Sequence, residues 1–236
     1  MKGRIFKGWR GHILWLFLGM GINLYPSLSV ANSQDASVLS EKPVLLVFGD
    51  SLSAAYGMDQ DLGWVALMQS KRPQLNVINA SISGETTSGG KQRLPALLKT
   101  HQPNVLILEL GANDALRGQN LQVSQQNLQV MIDLCQTAKP QCRVVLLGIR
   151  LPTNYGPAYD RQLQLMYQNL AQRNQLVFDP FFIETVALDP DLMQFDGLHP
   201  NADAQPLILQ RVWPLIEKAL PSSAASQSNK MADSEA

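Results

Sequence analysis

The chain has 236 residues, of which 45% are hydrophobic and 16% charged, and nineteen basic side chains balance nineteen acidic ones. No basic block or aromatic-interleaved basic stripe is present, which argues against a nucleic-acid partner. Two cysteines and three histidines are too few to assemble a zinc-type site, so no metal is expected.

The first segment reads as a leader. Lys2, Arg4, Lys7 and Arg10 precede the apolar run Ile13-Leu14-Trp15-Leu16-Phe17-Leu18-Gly19-Met20, and Ser29-Val30-Ala31 offers small residues for cleavage after Ala31. The run is shorter than the roughly 20 residues a membrane span needs, so residues 1–31 are expected to be a signal peptide. An uncleaved amphipathic anchor is the alternative; no cysteine lies near the cleavage site for a lipid anchor. Cleavage would leave a periplasmic or secreted chain without a stable membrane anchor. It would also remove four basic residues and no acid, leaving fifteen basic against nineteen acidic side chains. What remains is expected to be a linker over 32–42, one domain over 43–220 and a tail over 221–236.

From residue 44 the pattern alternates. Apolar runs at 44–48, 75–79, 105–110, 144–149 and 176–178 read as short strands buried on both faces. Helix-period segments lie between them at 64–71, 91–100, 123–138 and 158–173, with a last one over 204–220. This order predicts an α/β domain with three α/β/α layers and a mainly parallel five-stranded sheet, flavodoxin-like in its winding. Cys135 and Cys142 flank Lys139-Pro140; a local disulfide and two free thiols both suit that spacing. Pro214 inside the last helix predicts a kink or an early break. Residues 221–236 are small, polar and non-periodic, as in a disordered tail.

The first strand delivers Phe48-Gly49-Asp50-Ser51-Leu52 to the sheet rim, where α/β proteins place reacting groups. A serine hydroxyl is a poor nucleophile until a base takes its proton, and histidine suits that task near neutral pH. Past the leader there are only His101 and His199. His101 precedes a strand at its N-terminal end, opposite the usual site, so His199 is the candidate base. Asp196, three residues before it in a Gly-containing turn, can hold the imidazole Nδ1, whereas Asp203 reads as a helix cap. Donors for a developing oxyanion are available from the Ser51 N–H, the Gly84 N–H and the Asn113 side chain, all just past predicted strands.

Taken in order, these residues resemble the SGNH hydrolases, also called the GDSL family. Gly49-Asp50-Ser51-Leu52, Gly84, Gly111-Ala112-Asn113-Asp114 and Asp196-Gly197-Leu198-His199 fit its four blocks, and the resemblance spans 43–218. It implies Ser51 as nucleophile, Asp196 and His199 completing a triad, and Ser51, Gly84 and Asn113 as the oxyanion hole. Ser81-Ile82-Ser83-Gly84 and Asn113-Asp114-Ala115-Leu116-Arg117-Gly118 are similar to the family's bacterial periplasmic thioesterase and lysophospholipase branch. So is Ile149-Arg150-Leu151-Pro152-Thr153-Asn154-Tyr155-Gly156. The family more often has glycine where Ala112 stands. The rival α/β-hydrolase elbow, G-x-S-x-G, does not fit, because Ser53 occupies its second glycine position.

The resemblance implies hydrolysis of fatty-acyl esters and thioesters through an acyl-serine intermediate, a reaction expected to need no metal or organic cofactor, and a monomer is expected. Leu116, Leu151, Pro152 and Tyr155 are the expected lining of an acyl groove, while Met166 reads better as core. Two other readings stay open: a carbohydrate or small-acyl acetylesterase with the same triad, and a non-catalytic envelope binding module. A binding module has no need of Ser51, His199 and Asp196 together.

Overall fold

In the computed structural model, residues 42–138 and 142–221 are described; the expected leader, its cleavage site and the tail beyond Pro221 lie outside them. The apolar runs form five strands: β1 (Val44–Gly49), β2 (Asn76–Asn79), β3 (Val105–Glu109), β4 (Arg143–Leu147) and β5 (Val177–Asp179). They pair in the order β2-β1-β3-β4-β5, and every pairing is parallel. Leu45–Phe48 of β1, Val105–Leu108 of β3 and Val144–Leu147 of β4 are buried along their whole lengths. That is why they read as unbroken apolar runs rather than alternating ones.

Six helices cover the sheet: α1 (Trp64–Lys71), α2 (Thr87–His101), α3 (Ala112–Leu116), α4 (Leu121–Ala138), α5 (Pro157–Asn174) and α6 (Gln205–Ala219). α1 packs against α6 on one face, and α4 packs between α2 and α5 on the other. This division follows from right-handed crossovers on a sheet whose winding reverses between β1 and β3. The reversal opens a crevice at the C-terminal ends of those two strands. Gly49 and Glu109 are register partners there.

Three local features differ from expectation. α2 begins at Thr87 rather than residue 91, because Thr86 caps it by accepting the Gly89 N–H at 3.2 Å. Gly89 and Gly90 in its first turn are poor helix formers, yet at Gly90 a Cβ would approach Leu110 to 2.6 Å and Phe48 to 3.1 Å. Close packing on the sheet outweighs the poor helix propensity. α6 runs through Pro214 as one element, without the early break, although the proline leaves the carbonyl of Gln210, four residues before it, without its helical partner. The short α3 lacks the length to show a periodicity.

Cys135 near the end of α4 and Cys142 before β4 are joined by a disulfide, with a Cα–Cα separation of 5.8 Å. Among the described residues, no helix is long and apolar enough to cross a membrane.

Candidate active site

Ser51 stands in the first turn after β1, in a tight segment closed by Ala54 N–H to Asp50 O at 2.9 Å and Tyr56 N–H to Ser51 O at 3.2 Å. Its hydroxyl oxygen lies 2.9 Å from His199 Nε2, and His199 Nδ1 lies 2.6 Å from Asp196 Oδ2. The three side chains therefore form one hydrogen-bonded line across 148 residues of sequence. His199 sits on a small hairpin closed by the Met193–Pro200 bridge and by the Gln194 N–H to His199 O bond at 2.7 Å. Tyr56 packs a tilted ring against the imidazole at 4.5 Å between centroids.

The carboxylate of Asp196 is held by more than the imidazole. Its Oδ1 accepts the N–H groups of Leu198 at 2.9 Å and His199 at 3.0 Å. Partial burial pushes its pKa up, but these donors and the imidazole outweigh that and hold it below the ordinary carboxylate value. Asp196 is thus an anion wherever a histidine base works.

Ser51 and Asn113, two of the predicted oxyanion donors, border one cleft. Neither the Ser51 N–H nor the Gly84 N–H has an acceptor among the described residues. Gly84 lies in the turn after β2, at φ +78°, and that turn is tied to the end of β1 by Ile82 N–H to Gly49 O at 3.1 Å. Asn113 enters from β3 through Gly111, where φ is +120° and a Cβ would approach the Tyr167 hydroxyl to 2.6 Å. The Asn113 amide donates one N–H to Asp50 Oδ2 at 2.9 Å and has a second to offer. Behind it, buried Asp114 accepts from the Thr87 N–H and hydroxyl and from the Ser124 hydroxyl, clamping α3 to α2 and α4.

Ser51, Asn113 and His199 open onto a cleft of about 530 Å3. Leu116, Leu151 and Pro152 line it, as does Ala112. Gly84 and Tyr155 do not; the Tyr155 hydroxyl instead donates to Leu116 O at 3.2 Å, linking two stretches of the wall. Met166 is buried in the core, and His101 ends α2 at the opposite edge of the sheet. The wall from Leu151 is pinned by Asp160, which accepts the Leu151 N–H at 2.9 Å and pairs with Arg150 at 2.9 Å.

Sequence reasoning missed the far wall. Phe181, Ile183, Leu188 and Met193 come from the irregular segment after β5, which has no helical or strand period to reveal it. Its position past a strand's C-terminal end was the available signal. Asp179 at that end accepts the Phe181 N–H at 2.8 Å and forks onto Arg211 of α6 at 2.8 and 3.1 Å. Buried Glu109, the last residue of β3, was also missed.

The profile of the GDSL-like lipase/acylhydrolase family matches residues 47–206. The chain is 45% identical to esterase TesA of Pseudomonas aeruginosa over 181 residues, 75% of this chain and 89% of that protein. It is 46% identical to thioesterase 1/protease 1/lysophospholipase L1 of Escherichia coli over 165 residues, 70% of this chain and 78% of that one. Among solved structures, the psychrotrophic esterase EstA from Pseudoalteromonas sp., inhibited by monoethylphosphonate, superposes with a TM-score of 0.70 at 41% identity. That match covers 74% of this chain and 97% of EstA.

Proposed function

Since the chain belongs to the GDSL-like lipase/acylhydrolase family and is a serine hydrolase of the esterase and thioesterase type, we propose that Ser51, His199 and Asp196 carry out acyl transfer to water along the cleft. The observation that carries this reading is the Ser51–His199–Asp196 line, with links of 2.9 and 2.6 Å, opening onto a largely apolar cleft.

Ser51 Oγ attacks the acyl carbonyl while His199 Nε2 takes its proton, and Asp196 holds Nδ1–H and stabilises the imidazolium. In this reading the new oxyanion accepts from the Ser51 N–H, the Gly84 N–H and the second N–H of Asn113. His199 returns the proton to the departing alcohol or thiol, leaving acyl-Ser51. A water deprotonated by His199 then attacks the acyl-serine and releases the carboxylic acid. The acyl chain lies along Leu116, Leu151, Pro152 and the Phe181–Met193 wall, whose apolar surface favours hydrocarbon over a sugar. The basic-then-apolar start of the chain and the Cys135–Cys142 bond support export to an oxidising compartment.

The testing experiment is a profile of kcat/KM over p-nitrophenyl esters with acyl chains of about two to sixteen carbons, since each buried methylene adds roughly 0.8 kcal/mol of binding. Rising values beyond the acetyl ester support a fatty-acyl substrate. A maximum at acetate supports the small-acyl alternative instead.

A further inference from the structure

Two carboxyl groups lie buried behind the serine, and the steps above use neither. Asp50 is 1% exposed and Glu109 2%. The parallel register of β1 and β3 brings them together: the Asp50 N–H donates to Glu109 Oε2 at 3.1 Å, and the two carboxyls are within hydrogen-bonding reach of each other. The Ser53 hydroxyl donates to the same Oε2 at 2.9 Å. Asp50 in turn accepts the Leu52 N–H on Oδ1 at 3.1 Å and the Asn113 amide on Oδ2 at 2.9 Å. Among the described residues, no lysine or arginine is paired with either carboxyl.

Two adjacent buried anions without a cation are not sustainable, so one proton must be kept between them. The geometry says where. Donors reach both oxygens of Asp50, whereas both donors to Glu109 converge on Oε2 and leave Oε1 to carry a proton. We propose that Asp50 and Glu109 share one proton, seated on Glu109, and that the Asp50 anion is the positioning residue that orients the Asn113 amide for the oxyanion. This rests on Asn113 being an oxyanion donor, as argued above. A carboxylate only accepts, so it forces the NH₂ of Asn113, not its carbonyl, toward Asp50. The second N–H of that planar NH₂ is then left for the cleft.

Electrostatics agree with the geometry. Burial, and then the neighbouring Asp50 charge, push Glu109 well above the ordinary carboxyl value. Burial also pushes Asp50 up to about 6, against the Leu52 N–H, Glu109, His199 and Asn113, which favour its anion. The other titratable groups facing the pair are Tyr167, whose buried hydroxyl donates to Leu110 O at 3.0 Å, and Asp114, tied to Thr87 and Ser124. Neither supplies a positive charge.

A double-mutant cycle on the full chain, reading kcat and KM for a short-chain p-nitrophenyl ester, tests this. Asn113→Ala alone lowers kcat by about 10²–10³-fold, the usual loss of one oxyanion donor. Asp50→Asn lowers kcat at least about tenfold with KM within about threefold, and the double variant is no more than about threefold slower than Asn113→Ala. A near-normal kcat in Asn113→Ala overturns the oxyanion reading and this proposal with it. A slow Asn113→Ala with a double variant slowed by the product of both single losses overturns only the Asp50 coupling.

A second arm does not depend on how Asp50→Asn folds. Glu109→Gln presents an N–H to Asp50 and one carbonyl to the Asp50 N–H and the Ser53 hydroxyl, mimicking the protonated acid. It keeps at least about a third of kcat, while Glu109→Leu, which strands both donors, loses about tenfold or more. If Gln is as slow as Leu, the proton assignment is overturned; if neither is slow, Glu109 has no part in positioning.

Discussion

The side-chain amide of Gln194 donates to Tyr56 O at 2.8 Å and to Pro200 O at 3.1 Å, so one side chain fastens the histidine hairpin to the serine turn. Ser51 and His199 reach their 2.9 Å contact from opposite ends of the domain sequence. The Gln194–Tyr56 bond spans the same gap and holds the two loops in register. Gln194→Ala should therefore lower kcat by about tenfold, since small misplacements of reacting groups are costly, with KM little changed. Steady-state kinetics check this; a change confined to KM would place Gln194 in substrate binding instead.

Asp196→Asn should be far more damaging. All three partners of this carboxylate are donors: the Leu198 and His199 N–H groups and the His199 ring. An amide must present its own NH₂ to one of them, or make the imidazole adopt the wrong tautomer. The expected loss in kcat is about 10³–10⁴-fold, of the size seen when a triad carboxylate becomes an amide. Activity within about threefold of the parent would reduce Asp196 to a turn residue.

Stability should rise as pH is lowered from neutrality toward about 5. Besides the proton on Glu109, the folded chain takes up a second one, on Asp50, below about 6, whereas an unfolded aspartate binds it only near the ordinary value of 3.8. Between those limits the folded state binds more protons, so stability falls as pH rises through the window. Glu109, also raised, acts in the same direction. Asp196, held low, acts oppositely, but only at more acidic pH. Urea midpoints measured from about pH 5 to 8 should slope downward, and the slope should flatten in Asp50→Asn. A flat parent profile would contradict the buried-pair description.

Much of this architecture is visible in the chain itself, for identifiable reasons. β1, β3 and β4 are buried on both faces, so their sequences are unbroken apolar runs, and helices between such runs leave few topologies. Ser51, Asn113 and the turn holding Gly84 follow strand ends, which makes their shared edge a consequence of parallel pairing. The parts that escape notice depend on contacts distant in sequence. The room that forces glycine at position 90 is set by Phe48, Leu110 and Met131, none of them nearby in the chain. The Asp50–Glu109 pair exists only because the register sets Gly49 beside Glu109. The Phe181–Met193 wall is irregular and announces itself by no period. Tyr155, chosen for its place in a loop past a strand end, braces Leu116 rather than lining the cleft.

The most direct test of the central claim is covalent. Incubating the full chain with a p-nitrophenyl alkylphosphonate and mapping the adduct by peptide mass spectrometry asks which atom is the nucleophile. The account predicts one phosphonate per chain, on Ser51, released with one equivalent of p-nitrophenol, and no adduct in a folded Ser51→Ala variant. An adduct on another residue, or undiminished labelling and ester hydrolysis in Ser51→Ala, would contradict it.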